Sequence, residues 1–278
     1  MEKNNYEKLE ALYHTFGENE ELLNTFYAND YPVPFKSLKV YPVQVDLYFY
    51  FQLFSQCLVE PHRTSGDIKA ISMSYLQFIC YLALEKGRQE LLVFLTELLS
   101  IVFQEPTTIK NESGEQVSNI EVDLDKFEVR VGGESISAEE FDRLRKIILE
   151  QNGVEVPDES LNPELVKAYN ELEEFKRKQA HMKMCNFEEQ INIVVAQTSY
   201  RRDEILRMTI RSFTRLFERL LLITDYEIKS LLSPYMSEKD VKKITHYLSD
   251  TRKTLKERIE GETTDEKQLR NLVEGKQG

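Results

Sequence analysis

The chain has 278 residues, enough for two ordinary domains or one large one, and a 41% hydrophobic content that supports a buried core. Thirty-six Lys and Arg stand against 48 Asp and Glu, a net charge of -12; a protein that coats nucleic acid with its whole surface is excluded, because phosphate would repel most of it. With 10 Gly and 8 Pro, the chain is poor in the tight turns that a sandwich or barrel needs.

Tyr6, Leu9, Leu12, Tyr13 and Phe16, then Leu22, Leu23 and Phe26, recur at helical spacing on either side of Gly17, which predicts a helix pair or a short leader region. Pro32, Pro34 and Pro42 remove donors and bias their predecessors toward extended geometry, so residues 30–43 are predicted to be extended, with one short edge strand. From Val45 to Val59 the aromatics Tyr48, Phe49, Tyr50, Phe51 and Phe54 predict a helix buried on most faces. Apolar stretches at Ser74–Leu84 and Gln89–Phe103 follow, with Lys86-Gly87 between them, so residues 45–104 read as a helical core of three elements.

Ile120, Val122 and Leu124 alternate, as do Phe127, Val129 and Val131, predicting a hairpin near 118–132 turned at Asp125-Lys126, with Gly132-Gly133 turning the chain onward. Ser137 and Glu140 form a capping box for a helix that Asn152-Gly153 ends. Glu164 to Lys183 reads as a charged spacer helix, and Asn186 starts another. Asp203 to Ile223, Tyr226 to Leu232, and a last helix after Ser237 through Val241, Ile244, Leu248, Leu255 and Ile259 complete the pattern. The fold class is mainly α. The expected organisation is a helical N-terminal domain at 1–104, a β-hairpin insertion at 105–135, helices and linker at 136–183, a C-terminal helical bundle at 184–260, and a flexible tail at 261–278.

Catalytic signatures are missing: no GxSxG elbow, phosphate-cradling glycine loop, GxGxxG or HExxH occurs. Fourteen carboxylates between Glu112 and Glu159, among five Lys and Arg, form a solvated acidic face too diffuse for a matched acid/base pair, and one that would attract a basic partner. His14, His62, His181 and His246 are scattered, and Cys57, Cys80 and Cys185 have no CxxC spacing, so neither metal nor cofactor is expected and the thiols read as reduced and buried. His62 beside Arg63 reads as a loop histidine without an orienting partner. The N-terminus lacks a signal-peptide stretch, and no run of about 18 apolar residues would cross a bilayer, so a cytosolic, non-enzymatic protein is expected.

Arg207, Arg211, Arg215 and Arg219 recur every four residues, on one slowly drifting helix face. They suit phosphate contacts from a helix-turn-helix at 191–213, docking of an acidic partner, or simply the wet side of a helix whose Ile205, Thr209, Phe213, Leu216 and Leu220 pack. The turn lacks the glycine common in DNA-binding versions. Tyr48, Phe51 and Phe54, with the Phe213/Phe217 region, are the candidate groove for a partner; core packing is the simpler account of the cluster.

Three groups of phrases resemble a family of tailed-bacteriophage virion and assembly proteins of Gram-positive hosts. They are Tyr41-Pro42-Val43 with Ile71-Ser72-Met73-Ser74-Tyr75-Leu76; Phe141 with Ile147 through Asn152; and Ile205 through Phe213. The likeness spans the middle and most of the C-terminal half, stopping before Pro234. It implies a virion morphogenesis role, as a tail assembly chaperone or minor structural component. The implied partners are tape-measure, tail or portal proteins or a second copy of the chain, rather than nucleic acid or membrane. The implied location is the host cytoplasm or the virion. No functional residue is carried over from the family.

Overall fold

Helices build the structure, and only small antiparallel sheets interrupt them. The computed structural model describes residues 2–17, 19–62, 68–111, 113–161, 163–179, 185–249 and 252–261. They fall into two compact units, Met1–Val156 with Val194–Phe217, and Pro157–Ile193 with Glu218–Gly278. The fold is mainly α, as the composition and periodicity require.

The first unit opens with α1 (Glu2–Phe16) and α2 (Glu20–Ala28). The extended region is a hairpin rather than a single edge strand: β1 (Val33–Phe35) pairs antiparallel with β2 (Leu38–Val40). A 3-10 turn, Val45–Leu47, then leads into α3 (Tyr48–Phe54), α4 (Gln56–Val59), α5 (Ile68–Ile71), α6 (Tyr75–Glu85) and α7 (Glu90–Phe103). Leu91, Leu95, Leu98, Leu99 and Val102 of α7 are fully buried, each contributing on the order of 2 kcal/mol through apolar area removed from water. Against this ridge pack α3, α4 and α6. Gln104, in the left-handed region at φ 56°, ends α7.

The sheet excursion is larger than one hairpin. β3 (Thr108–Lys110) pairs with β4 (Gln116–Ser118), and β5 (Ile120–Asp123), β6 (Glu128–Val131) and β7 (Glu134–Ile136) form a separate three-stranded meander. Gly132 and Gly133, at φ 56° and 87°, supply the two-residue turn between β6 and β7 that a side chain would strain. Next, α8 (Ala138–Gln151) starts on the expected capping box, with Ser137 and Glu140 each serving the other's backbone amide. Its Phe141, Leu144, Ile147 and Ile148 enter the same core as α6.

Beyond it come α9 (Pro163–Gln179), α10 (Phe187–Gln197), α11 (Arg202–Arg207), α12 (Ile210–Leu232), a 3-10 turn at Ser233–Tyr235, and α13 (Glu238–Val241); residues 255–261 are helical as well. Two expectations change here. The single helix over Asp203–Ile223 is broken at Met208-Thr209, while Tyr226–Leu232 is the continuous end of α12. The last helix is not continuous either: it stops at Val241, and residues 244–246 carry no helix. There the rings of His246 and Tyr247 stand against Tyr226 at 5.0 and 5.3 Å, a packing contact that overrides the local period.

Candidate functional site

The aromatic run divides between core and surface because a helix points consecutive side chains about 100° apart. Phe51 is 2% exposed and belongs to the core, so the ring singled out as a partner contact is closed off by α7 packing. Tyr48 and Phe54, the other two singled out, are half-buried and lean on that core. Phe49 and Tyr50 are the open ones, at 69% and 51% exposure. Their rings form a chain across the helix pair: Phe49 to Tyr50 at 6.0 Å, Tyr50 to Phe54 at 6.2 Å, Phe54 to Phe94 of α7 at 5.8 Å. Leu47, beside Tyr48 on the preceding 3-10 turn, is exposed too, as is Val93 on α7. Composition marked the aromatics but not α7's share, since Val93 and Phe94 lie inside a run that reads as wholly buried.

The four arginines do not share one helix. Arg207 ends α11, exposed, whereas Arg211, Arg215 and Arg219 lie on α12. Between them the chain leaves helix to pair with residues 43–45: Val45 N–H donates to the Met208 carbonyl and Ile210 N–H to the Val43 carbonyl, both at 2.9 Å, around a Gln44–Thr209 bridge. Thr209 then caps α12, its Oγ1 accepting from Ser212 N–H at 3.1 Å and donating to the Asp30 carboxylate at 2.7 Å. Ser212 Oγ donates to the same carboxylate at 2.8 Å. Asn152 completes the clip, its Oδ1 accepting from Val43 N–H at 2.8 Å.

Arg211 is drawn into this knot, donating to the Glu150 carbonyl with its guanidinium 5.1 Å from the centre of the Tyr27 ring. Burial pushes the Tyr27 hydroxyl well above its usual range, and it also raises the Glu150 carboxyl. In the second unit Arg219 donates to the carbonyls of Tyr247 and Ser249. Phe213 is buried and Phe217 stacks on it at 6.4 Å, so that pair is packing within the first unit. The helix-turn-helix outline at 191–213 is thus α10, a short α11 and an extended clip.

His62 lies in the loop after α4, as expected, but it is buried and oriented, stacked on Phe78 at 4.8 Å with Nε2 2.7 Å from the Ala70 carbonyl; Arg63 lies outside the described residues. Cys57 and Cys80 are buried free thiols, both pushed up by desolvation, Cys80 to about 11, while Cys185 is exposed. Among the described residues, no three His, Cys, Asp or Glu side chains are grouped to hold a metal, and no helix is long and apolar enough to cross a membrane.

A family model described as the YomV second domain matches residues 176–252. This stretch, under a third of the chain, is similar to a domain of a Bacillus phage-type protein family. The match points to a phage protein. It runs past Pro234, where the resemblance in short phrases ends, and takes in α11, α12 and α13. No curated protein and no solved structure matches the chain.

Proposed function

We propose that this chain is a non-enzymatic phage morphogenesis protein, a tail assembly chaperone or minor structural component, that works by holding another structural protein through apolar contact. The exposed rings of Phe49 and Tyr50 on α3, next to exposed Leu47 on the preceding 3-10 turn, carry the reading. Three large apolar side chains clustered at the start of one helix lose more in water than scattered ones would, and they suit the apolar face of a partner helix. The -12 charge favours solubility of such a complex. Support also comes from Arg211 and Arg219, whose guanidinium groups are engaged by backbone carbonyls, leaving fewer cations for a phosphate backbone.

The two classes of partner separate on salt. Binding of the purified chain to an apolar helical segment of a tape-measure protein is expected to survive a rise from low to moderate salt and to weaken by about tenfold or more in Phe49→Asp. Binding to duplex DNA that falls steeply with salt and is lost in Arg207→Glu would contradict the proposal.

A further inference from the structure

The second unit carries an apolar seam along α12 that is separate from the α3–α7 rings. Leu221, Thr224, Ile228 and Leu231 follow one another at three, four and three residues, the alternation of three and four that keeps side chains on one line of a helix. Ile228 is 53% exposed and Leu231 77%; Leu232 borders them, and Tyr235 on the next 3-10 turn is 89% exposed. The one polar member, Thr224, donates its hydroxyl to the Leu220 carbonyl at 2.9 Å, which removes its demand for water. Arg219 and Tyr226 lie on the opposite side of the helix, where the 246–249 segment covers them. This part of α12 is therefore seated on one side and open along the other.

Its borders carry three carboxylates against one lysine. Glu227 flanks one edge, and Glu218 and Asp225 flank the other, with Asp225 bound to Lys229 at 2.7 Å. In a second copy those acidic borders would lie side by side, which repulsion disfavours; a helix with basic borders would meet complementary charge. We propose that the seam is a docking site for an amphipathic helix of another protein, apolar along one line and flanked by Lys or Arg. The site does not depend on the α3–α7 surface, so either can fail without the other.

The test uses the full chain and two synthetic helical peptides with the same leucine seam, one flanked by Lys and one by Glu, followed by fluorescence anisotropy. The Lys-flanked peptide is expected to bind at least about tenfold more tightly. Ile228→Asp with Leu231→Asp is expected to abolish that binding while circular dichroism and thermal melting stay unchanged, because both side chains are exposed. Glu218→Lys with Glu227→Lys is expected to reverse the preference between peptides. Equal binding of the two peptides, no binding of either, or binding untouched by the seam variant would overturn the proposal. So would a wild-type dimer in light scattering that the seam variant converts to monomer, since a second copy would then be the occupant.

Discussion

Asp30 ties together chain segments about 180 residues apart. It sits at φ 55°, a left-handed conformation that Asp tolerates better than most residues, and its carboxylate accepts from the hydroxyls of Thr209 and Ser212. Asp30→Ala leaves the buried Thr209 hydroxyl and the half-buried Ser212 hydroxyl short of an acceptor and is expected to cost about 1–3 kcal/mol in urea denaturation. Asp30→Asn keeps one carbonyl acceptor and the backbone preference, and should cost less; an Ala variant as stable as wild type would show that the knot is incidental. This residue was not legible in the sequence, because its partners at 209 and 212 are distant and a lone Asp after a helix is unremarkable. Ser137 and Glu140 were legible, since a capping box is complete within four residues. Asn152-Gly153 was half legible: the helix stop is local, whereas the bond from Val43 N–H to Asn152 depends on tertiary folding.

Among elements, α3 shows best how one helix divides its work. Phe51→Ala is expected to cost about 3–5 kcal/mol, because the buried ring leaves a cavity against α7. Phe49→Ala, at a position 69% exposed, is expected to stay within about 0.5 kcal/mol. Equal losses at the two positions in urea titration would show that Phe49 is part of the core and not a contact surface. The sequence made α3 aromatic and helical but not which ring faces out, since five aromatics in seven residues erase the usual periodicity. The arginine pattern failed for a different reason. A four-residue repeat continues across Met208-Thr209 as though the helix did, and only the pairing of 208–210 with 43–45 ends α11 and restarts α12.

At the scale of the whole molecule, the two units differ in how much they bury. The apolar core lies in the first unit, through α6, α7, α8 and the meander, whereas among the described residues of the second unit only Ile191 and Ile259 are buried hydrophobics. Amide hydrogen exchange is therefore expected to be slowest in α7 and α8 and faster by orders of magnitude in residues 226–249, because opening there exposes little apolar surface. Uniform protection across both units would mean that the second unit is stabilised by something other than its own core. The class of the fold followed from composition and periodicity, and the phage connection is supported at 176–252 by the family match. Any partner contact depends on surface side chains whose exposure is decided only once the core has formed.

The most direct test is affinity capture of the tagged full chain from phage-infected cells, with and without nuclease treatment, with mass spectrometry of the retained proteins and assay of the retained DNA, for the wild type and for Phe49→Asp with Tyr50→Asp. Tape-measure, tail or portal proteins are expected with the wild type and should be depleted with the variant. Recovery of nuclease-sensitive DNA with no structural protein, or identical recovery from both chains, would contradict the account.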